Sequence, residues 1–142
     1  MEELSRWWQR FLGRIPQWQK SGLDAQPSIN SYQTNSEVPF MNNSIPETAD
    51  ERAQYRTSDG SHDILFWFRS CGASGWQAYI MSEINYQNRD TSSHATHRIY
   101  DSELNLHYVC WSQRISTKAQ CKSIAALWSD KTLEYIRTGR PI

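Results

Sequence analysis

Asp63-Ile64-Leu65-Phe66-Trp67-Phe68-Arg69-Ser70, followed by Cys71-Gly72-Ala73-Ser74-Gly75 and then Trp76-Gln77-Ala78-Tyr79-Ile80-Met81-Ser82, is the stretch that decides the fold. The first run is β-branched and aromatic, and its unbroken apolar middle predicts a central strand covered on both faces. The glycines of 71–75 supply positive φ at no steric cost, as a short hairpin connection requires. The third run alternates Trp76, Ala78 and Ile80 against Gln77, Tyr79 and Met81, the period of a second strand.

Toward the C-terminus, a polar excursion over 85–93 precedes two further apolar runs, 95–100 and 106–112, joined by a turn at Asp101-Ser102-Glu103. Four short strands with close connections predict an antiparallel meander. After Gln113 the period changes. Thr117 with Gln120 forms a capping box, and Cys121, Ile124, Ala125, Trp128, Leu133 and Ile136 follow mainly at three- and four-residue steps. Gly139 and Pro141 end a helix of about 20 residues, near 30 Å long. A four-stranded meander leaves one apolar face open, and this helix, carrying Trp128 on its stripe, is expected to cover it.

Toward the N-terminus, Asp59-Gly60 marks a turn. Ser44-Ile45-Pro46-Glu47 has capping-box spacing, and Ala49, Arg52, Ala53 and Arg56 then predict a short helix over 46–56. Residues 16–45 read as a polar linker or irregular loop rich in Ser, Asn, Gln and Pro. In residues 1–15, Leu4, Trp7, Trp8, Phe11 and Leu12 form an amphipathic stripe beside Arg6, Arg10 and Arg14. Such a helix is expected to dock on the protein's own sheet, with a partner helix or membrane surface as the alternative. The fold class is therefore α+β: a four-stranded antiparallel meander with a long C-terminal helix on one face, the core domain of 46–142, plus an N-terminal amphipathic helix.

The chain has 142 residues, which fits one core. Fifteen Lys plus Arg balance fifteen Asp plus Glu, so net charge argues for neither a polybasic nucleic-acid binder nor an acidic mimic. The aromatic set is large, with seven Trp, seven Tyr and four Phe, and each buries about 150 to 250 Å² when enclosed. No apolar run approaches the about 20 residues needed to cross a bilayer. Glu2 and Glu3 stand where a secretory leader carries bases, and Cys71, Cys110 and Cys121 form an odd set without CxxC spacing. A cytoplasmic location is expected.

No reactive constellation is legible. His62, His94, His97 and His107 invite a zinc reading, but only His94 and His97 are close in sequence, and on a strand an i, i+3 pair points to opposite faces. His94-Ala95-Thr96 matches the tripeptide of two-histidine phosphoesterases, which need two such units; the second is missing. Cys71 lies in a glycine-rich turn with nothing in the sequence to orient a base toward it. No metal and no cofactor are implied. Charge is nevertheless uneven: residues 23–63 carry two bases and seven acids, and residues 110–142 six bases and two acids. Arg114, Lys118, Lys122 and Arg140 are candidates for a positive strip along the last helix that holds nucleic-acid backbone. An α-β-β-β-α order is similar to that of double-stranded-RNA-binding domains, from which the chain departs by an extra strand and by lacking a Lys-rich start to the last helix.

Tyr108-Val109-Cys110-Trp111, Ala125-Ala126-Leu127-Trp128 and Glu134-Tyr135-Ile136-Arg137-Thr138-Gly139-Arg140 resemble segments of small uncharacterised proteins associated with mobile elements of Gram-positive gut bacteria. The resemblance covers at most residues 62–142. It implies a bacterial, mobile-element setting and supplies no catalytic residue. The leading expectation is a small non-catalytic protein that binds an unidentified protein partner, in the mobile-element setting an interaction or inhibitor protein. Trp7, Trp8 and Arg10 are candidate anchors, together with Arg114, Lys118, Lys122 and Arg140, because interfaces favour Trp, Tyr and Arg. Nucleic-acid binding by the basic strip is the alternative, and a cryptic hydrolase or phosphoesterase using His94 or Cys71 the second.

Overall fold

A computed structural model describes residues 18–20 and 46–142; the expected N-terminal helix, with Trp7, Trp8 and Arg10, lies outside the described residues. The core is α+β. Its strands are β1 (Trp18–Lys20), β2 (Glu51–Arg56), β3 (Asp63–Ser70), β4 (Trp76–Ile80), β5 (Arg98–Asp101) and β6 (Leu106–Val109). Two α-helices complete it, the single-turn α1 (Ser93–Thr96) and the 21-residue α2 (Lys118–Thr138). Strands β2 to β6 form the body of an antiparallel sheet, and the three-residue β1 pairs with β2 at one edge.

The β3–β4 hairpin forms where the sequence places it, with Phe66 opposite Ile80, Trp67 opposite Tyr79 and Ser70 opposite Trp76. Gly75 is indispensable to its turn: φ is +86°, and a Cβ there would lie 2.4 Å from the Ile115 carbonyl oxygen. The last helix also begins and ends as expected. Thr117 Oγ1 accepts the Gln120 N–H at 3.1 Å, and Gly139 closes α2 in the left-handed region at φ +77°.

Three expectations are corrected. The helix over 46–56 is instead a turn, in which the Ala49 N–H donates to the Pro46 carbonyl, followed by strand β2. Ala49, Arg52, Ala53 and Arg56 fit a helical period, but Glu51, Ala53 and Tyr55 also alternate with Arg52, Gln54 and Arg56, and six residue pairs with β3 settle the matter. The strand over 95–100 begins only at Arg98. Before it, Ser92 caps α1 and His97 ends it at φ +48°. The meander is also broken, since the sheet order is β1-β2-β3-β4-β6-β5. The polar excursion carries the chain past β4 to the outer position, and the hairpin returns β6 to pair with β4. Within the expected linker, Trp18–Lys20 is strand β1.

Helix α2 packs across β3, β4 and β6. Between them Ala53, Tyr55, Ile64, Phe66, Phe68, Ala78 and Ile80 meet Cys121, Ile124, Ala125 and Trp128, all buried. Phe66 packs edge-on against Trp128, ring centroids 6.1 Å apart. The Trp128 indole N–H donates to the Thr96 carbonyl at 2.9 Å and ties α1 to α2. Asp130 accepts the Ser58 N–H, the Ser58 hydroxyl and the Tyr55 hydroxyl, fixing the β2–β3 turn to the same helix.

Candidate functional site

Register puts three of the sheet's aromatic side chains, Trp67, Tyr79 and Tyr108, on the face that α2 does not touch. Arg52 is opposite Trp67, Trp67 opposite Tyr79, Tyr79 opposite Tyr108, and Tyr108 opposite Ile99. Directly opposed residues of antiparallel strands share a face, so these five side chains form one row across β2, β3, β4, β6 and β5. Ring centroids are 5.4 Å apart for Trp67–Tyr79 and 5.5 Å for Tyr79–Tyr108. The Arg52 and Arg69 guanidiniums lie 6.0 and 5.5 Å from the Trp67 ring centroid, within cation–π range. Tyr79 is buried at the middle of the row, while Trp67 and Tyr108 stay half-exposed. The Tyr79 hydroxyl sits 2.9 Å from the Asp101 carboxylate; burial and that carboxylate push its pKa up to about 12. Asp101 itself is held low by the Tyr79 hydroxyl and by the Leu104 and Glu103 N–H groups. The row ends at β5, whose Ile99 and Tyr100 are the exposed large apolar residues of the described chain, 38 % and 53 % exposed.

The expected basic strip is not assembled. Lys118 is only 2 % exposed: its ammonium donates to the Pro46 and Ala49 carbonyls and pairs with Glu51 at 3.1 Å. Lys122 pairs with the same carboxylate at 2.8 Å. Burial pushes Glu51 up, but the two ammonium groups outweigh it and hold the carboxyl below its ordinary value. Arg114 is exposed and donates to the Ala73 carbonyl, bracing the β3–β4 turn. Arg140 is exposed just past the far end of α2, about 30 Å away along a helix of this length.

Helix α1 does bring His94 toward His97, contrary to the strand geometry expected there, and the neighbouring charge, second to burial, lowers the His97 pKa. Among the described residues, however, no three His, Cys, Asp or Glu side chains gather as metal ligands. Cys71 follows β3, and its S–H points at Gln77 Oε1 and the Arg69 carbonyl. Burial raises its pKa, so the thiol form is favoured. Three strand spacings, ~14 Å, separate β3 from the β5 edge where His97 lies.

A cleft of about 710 Å³ between the β2–β3 turn and the end of α2 went unnoticed in the sequence. Ser61 Oγ there lies 2.7 Å from both Asp59 Oδ1 and His62 Nδ1. The order is acid, hydroxyl, imidazole, with the hydroxyl in the middle. Asp59 also accepts the Ser61 N–H and the Thr57 hydroxyl, and these bonds bring it down to about 2. With the one Ser61 proton given to this carboxylate, His62 donates to Ser61 and does not act as its base. Asp63 is engaged by Arg56 at 2.9 Å. These contacts make a folded turn, with turn-forming Asp59 and Ser61 two residues apart.

Among the described residues no helix is long and apolar enough to cross a membrane. No family model, curated protein or solved structure significantly matches the chain.

Proposed function

We propose that the protein is a small non-catalytic binding module whose sheet, on the face away from α2, docks a macromolecular partner, a protein in the first instance. The observation that carries this reading is the register-aligned row Arg52, Trp67, Tyr79, Tyr108, Ile99 with Arg69 beside it. Trp, Tyr and Arg dominate interface energetics, and anchors held by neighbours lose little rotamer freedom on binding. Tyr79 supports the two half-exposed rings from between them.

The test is capture from the native host with the tagged full chain and with a Trp67→Ala/Tyr108→Ala variant. Anchors worth ~2 kcal/mol each predict at least ~30-fold weaker retention of a stoichiometric partner by the variant. A partner retained equally by both, or none retained by the wild-type chain, overturns the reading. The two arginines over Trp67 favour one second reading, single-stranded nucleic acid with a base stacked on that ring. It requires affinity that falls steeply as salt rises, whereas apolar docking requires little salt dependence.

A further inference from the structure

Of the three enclosed polar side-chain atoms that lack a hydrogen-bond partner among the described residues, two belong to neighbours, Tyr86 Oη and Arg98 Nε. Arg98 opens β5 opposite the buried Val109 and so lies on the α2 side of the sheet, away from the outer row. Its guanidinium carbon stands 4.7 Å from the centre of the Tyr86 ring. The ring offers its face to the charge but no lone pair to the Nε–H. Among the described residues no carboxylate pairs with Arg98. Asp101, the acid of the same strand, lies on the other face and is engaged by Tyr79. Tyr86 is 5 % exposed, and burial pushes its pKa up to about 12, so at neutral pH its hydroxyl carries a proton to donate. Proteins normally close an enclosed cationic N–H beside an enclosed phenol O–H with an acceptor.

Both residues line a hollow of about 660 Å³ beside the 83–91 segment, where Arg89 and Arg98 stand against a single acid, Glu83. That volume is in the range of small-molecule sites. Its wall is held in place. The Tyr135 hydroxyl donates to the Asp90 carbonyl at 2.8 Å and Arg89 Nε donates to the Ile136 carbonyl at 3.2 Å, which pins the segment to the last turns of α2. We infer that Arg98 and Tyr86 form a binding site for an oxyanion, the carboxylate or phosphate group of a small ligand, entered from this hollow. Nε and the neighbouring Nη of Arg98 make the planar fork that two oxygens of one anion fit, and the Tyr86 hydroxyl donates to the same group. The open N–H can only donate, which rules out a cation as the ligand; a neutral acceptor would meet the N–H and leave the guanidinium charge uncompensated. The site is on the opposite side of the sheet from Trp67 and Tyr108, so it does not depend on what the outer face binds.

Melts of the full chain in sodium phosphate and in sodium acetate, each against sodium chloride of equal ionic strength, test the site. The expected result is a saturable rise in Tm with at least one oxyanion. At ten times the dissociation constant it corresponds to an about 11-fold shift of the unfolding equilibrium, or about 4 °C. Phosphate acting at lower concentration than acetate assigns a phosphate group to the site, and the reverse order a carboxylate. Arg98→Met, which keeps an unbranched side chain over the ring, is to abolish the rise. Tyr86→Phe, which removes one donor to a charged group, is to raise the concentration needed ~10-fold. Each variant is to show the circular dichroism of the wild type in chloride. In the wild-type chain the Arg98 Nε–H resonance is to shift over the same concentrations, which decides the matter without any variant. No rise beyond chloride with either oxyanion, an undiminished rise in folded Arg98→Met, or an Arg98 Nε–H resonance that does not respond overturns the inference. The Trp67→Ala/Tyr108→Ala chain is to keep the rise, so failure of the outer-face reading and failure of this one are told apart.

Discussion

Replacing Glu51 by Gln tests what the buried charges under α2 do. Glu51 is 9 % exposed and is the shared partner of Lys118, 2 % exposed, and Lys122, 23 % exposed. Removing one member of a buried ion pair costs about 3–5 kcal/mol, mostly because the remaining charge is left desolvated without compensation. Lys118 keeps its bonds to the Pro46 carbonyl at 2.8 Å and the Ala49 carbonyl at 3.1 Å, so the lower end, ~3 kcal/mol, applies. For a domain of this size ~1 kcal/mol moves Tm by about 3 °C, giving a fall of roughly 9 °C. Lys122→Met, at a more exposed position with Lys118 still pairing Glu51, is expected to cost ~1 kcal/mol. The decisive quantity is a sign: Glu51→Gln/Lys118→Met, which removes both charges, is expected to be more stable than Glu51→Gln alone. Urea unfolding followed by circular dichroism measures all three. Equal losses for Glu51→Gln and Lys122→Met, or a double variant no more stable than Glu51→Gln, would refute the claim that burial of the Lys118 charge sets the cost.

Glu51 also sets an acid limb: its folded pKa is lowered, so its contribution is present above the unfolded value and is lost as pH falls through the folded one; Glu51→Gln is expected to flatten that limb of stability against pH. The alkaline limb has the opposite sign. Burial pushes Tyr55, Tyr79 and Tyr86 up to about 12 from an ordinary 10, so stability is lost as pH rises from the lower value toward the higher, and phenolate absorbance is to appear together with unfolding. Gly75→Ala puts a Cβ against the Ile115 carbonyl at positive φ and is expected to cost more than ~2 kcal/mol, whereas Gly72→Ala, at φ +60° with nothing within 4 Å, costs only the ~1 kcal/mol of left-handed backbone; thermal melts of the pair check the difference. Trp128→Phe leaves the buried Thr96 carbonyl without its donor and is expected to cost about 1–3 kcal/mol, read in the same melts.

The elements whose local signals agree are those legible in the sequence. Around β3–β4, strand composition, the glycine turn and alternation in 76–82 all point one way, and α2 has a cap at Thr117, a stripe and a stop at Gly139. Elements decided by long-range pairing are not legible. Residues 46–56 satisfy two periods at once, and the choice is made by six partners on β3. Nothing local reveals that β6 rather than β5 lies beside β4, because that order depends on where the chain between β4 and β5 runs. Lys118 looks like a solvated helix charge until β2 brings Glu51 under it.

The outer row shows the same limit at the level of function. Along β3 the apolar run from Ile64 to Phe68 conceals its own alternation, because both faces carry large side chains: Ile64, Phe66 and Phe68 are buried toward α2, and Leu65 and Trp67 are half-exposed on the other side. In β4 the alternation is visible, yet Tyr79 becomes a site residue only when register sets Trp67 on one side of it and Tyr108 on the other. One residue of slip in either pairing would send these rings to the helix side and scatter the row. Six backbone pairs between β2 and β3 and five between β3 and β4 hold that register, so the same contacts that close the core on α2 also align Arg52, Trp67 and Tyr79 on the opposite face. A binding surface built this way is rigid, because no side chain in the row can change face without breaking the sheet beneath it.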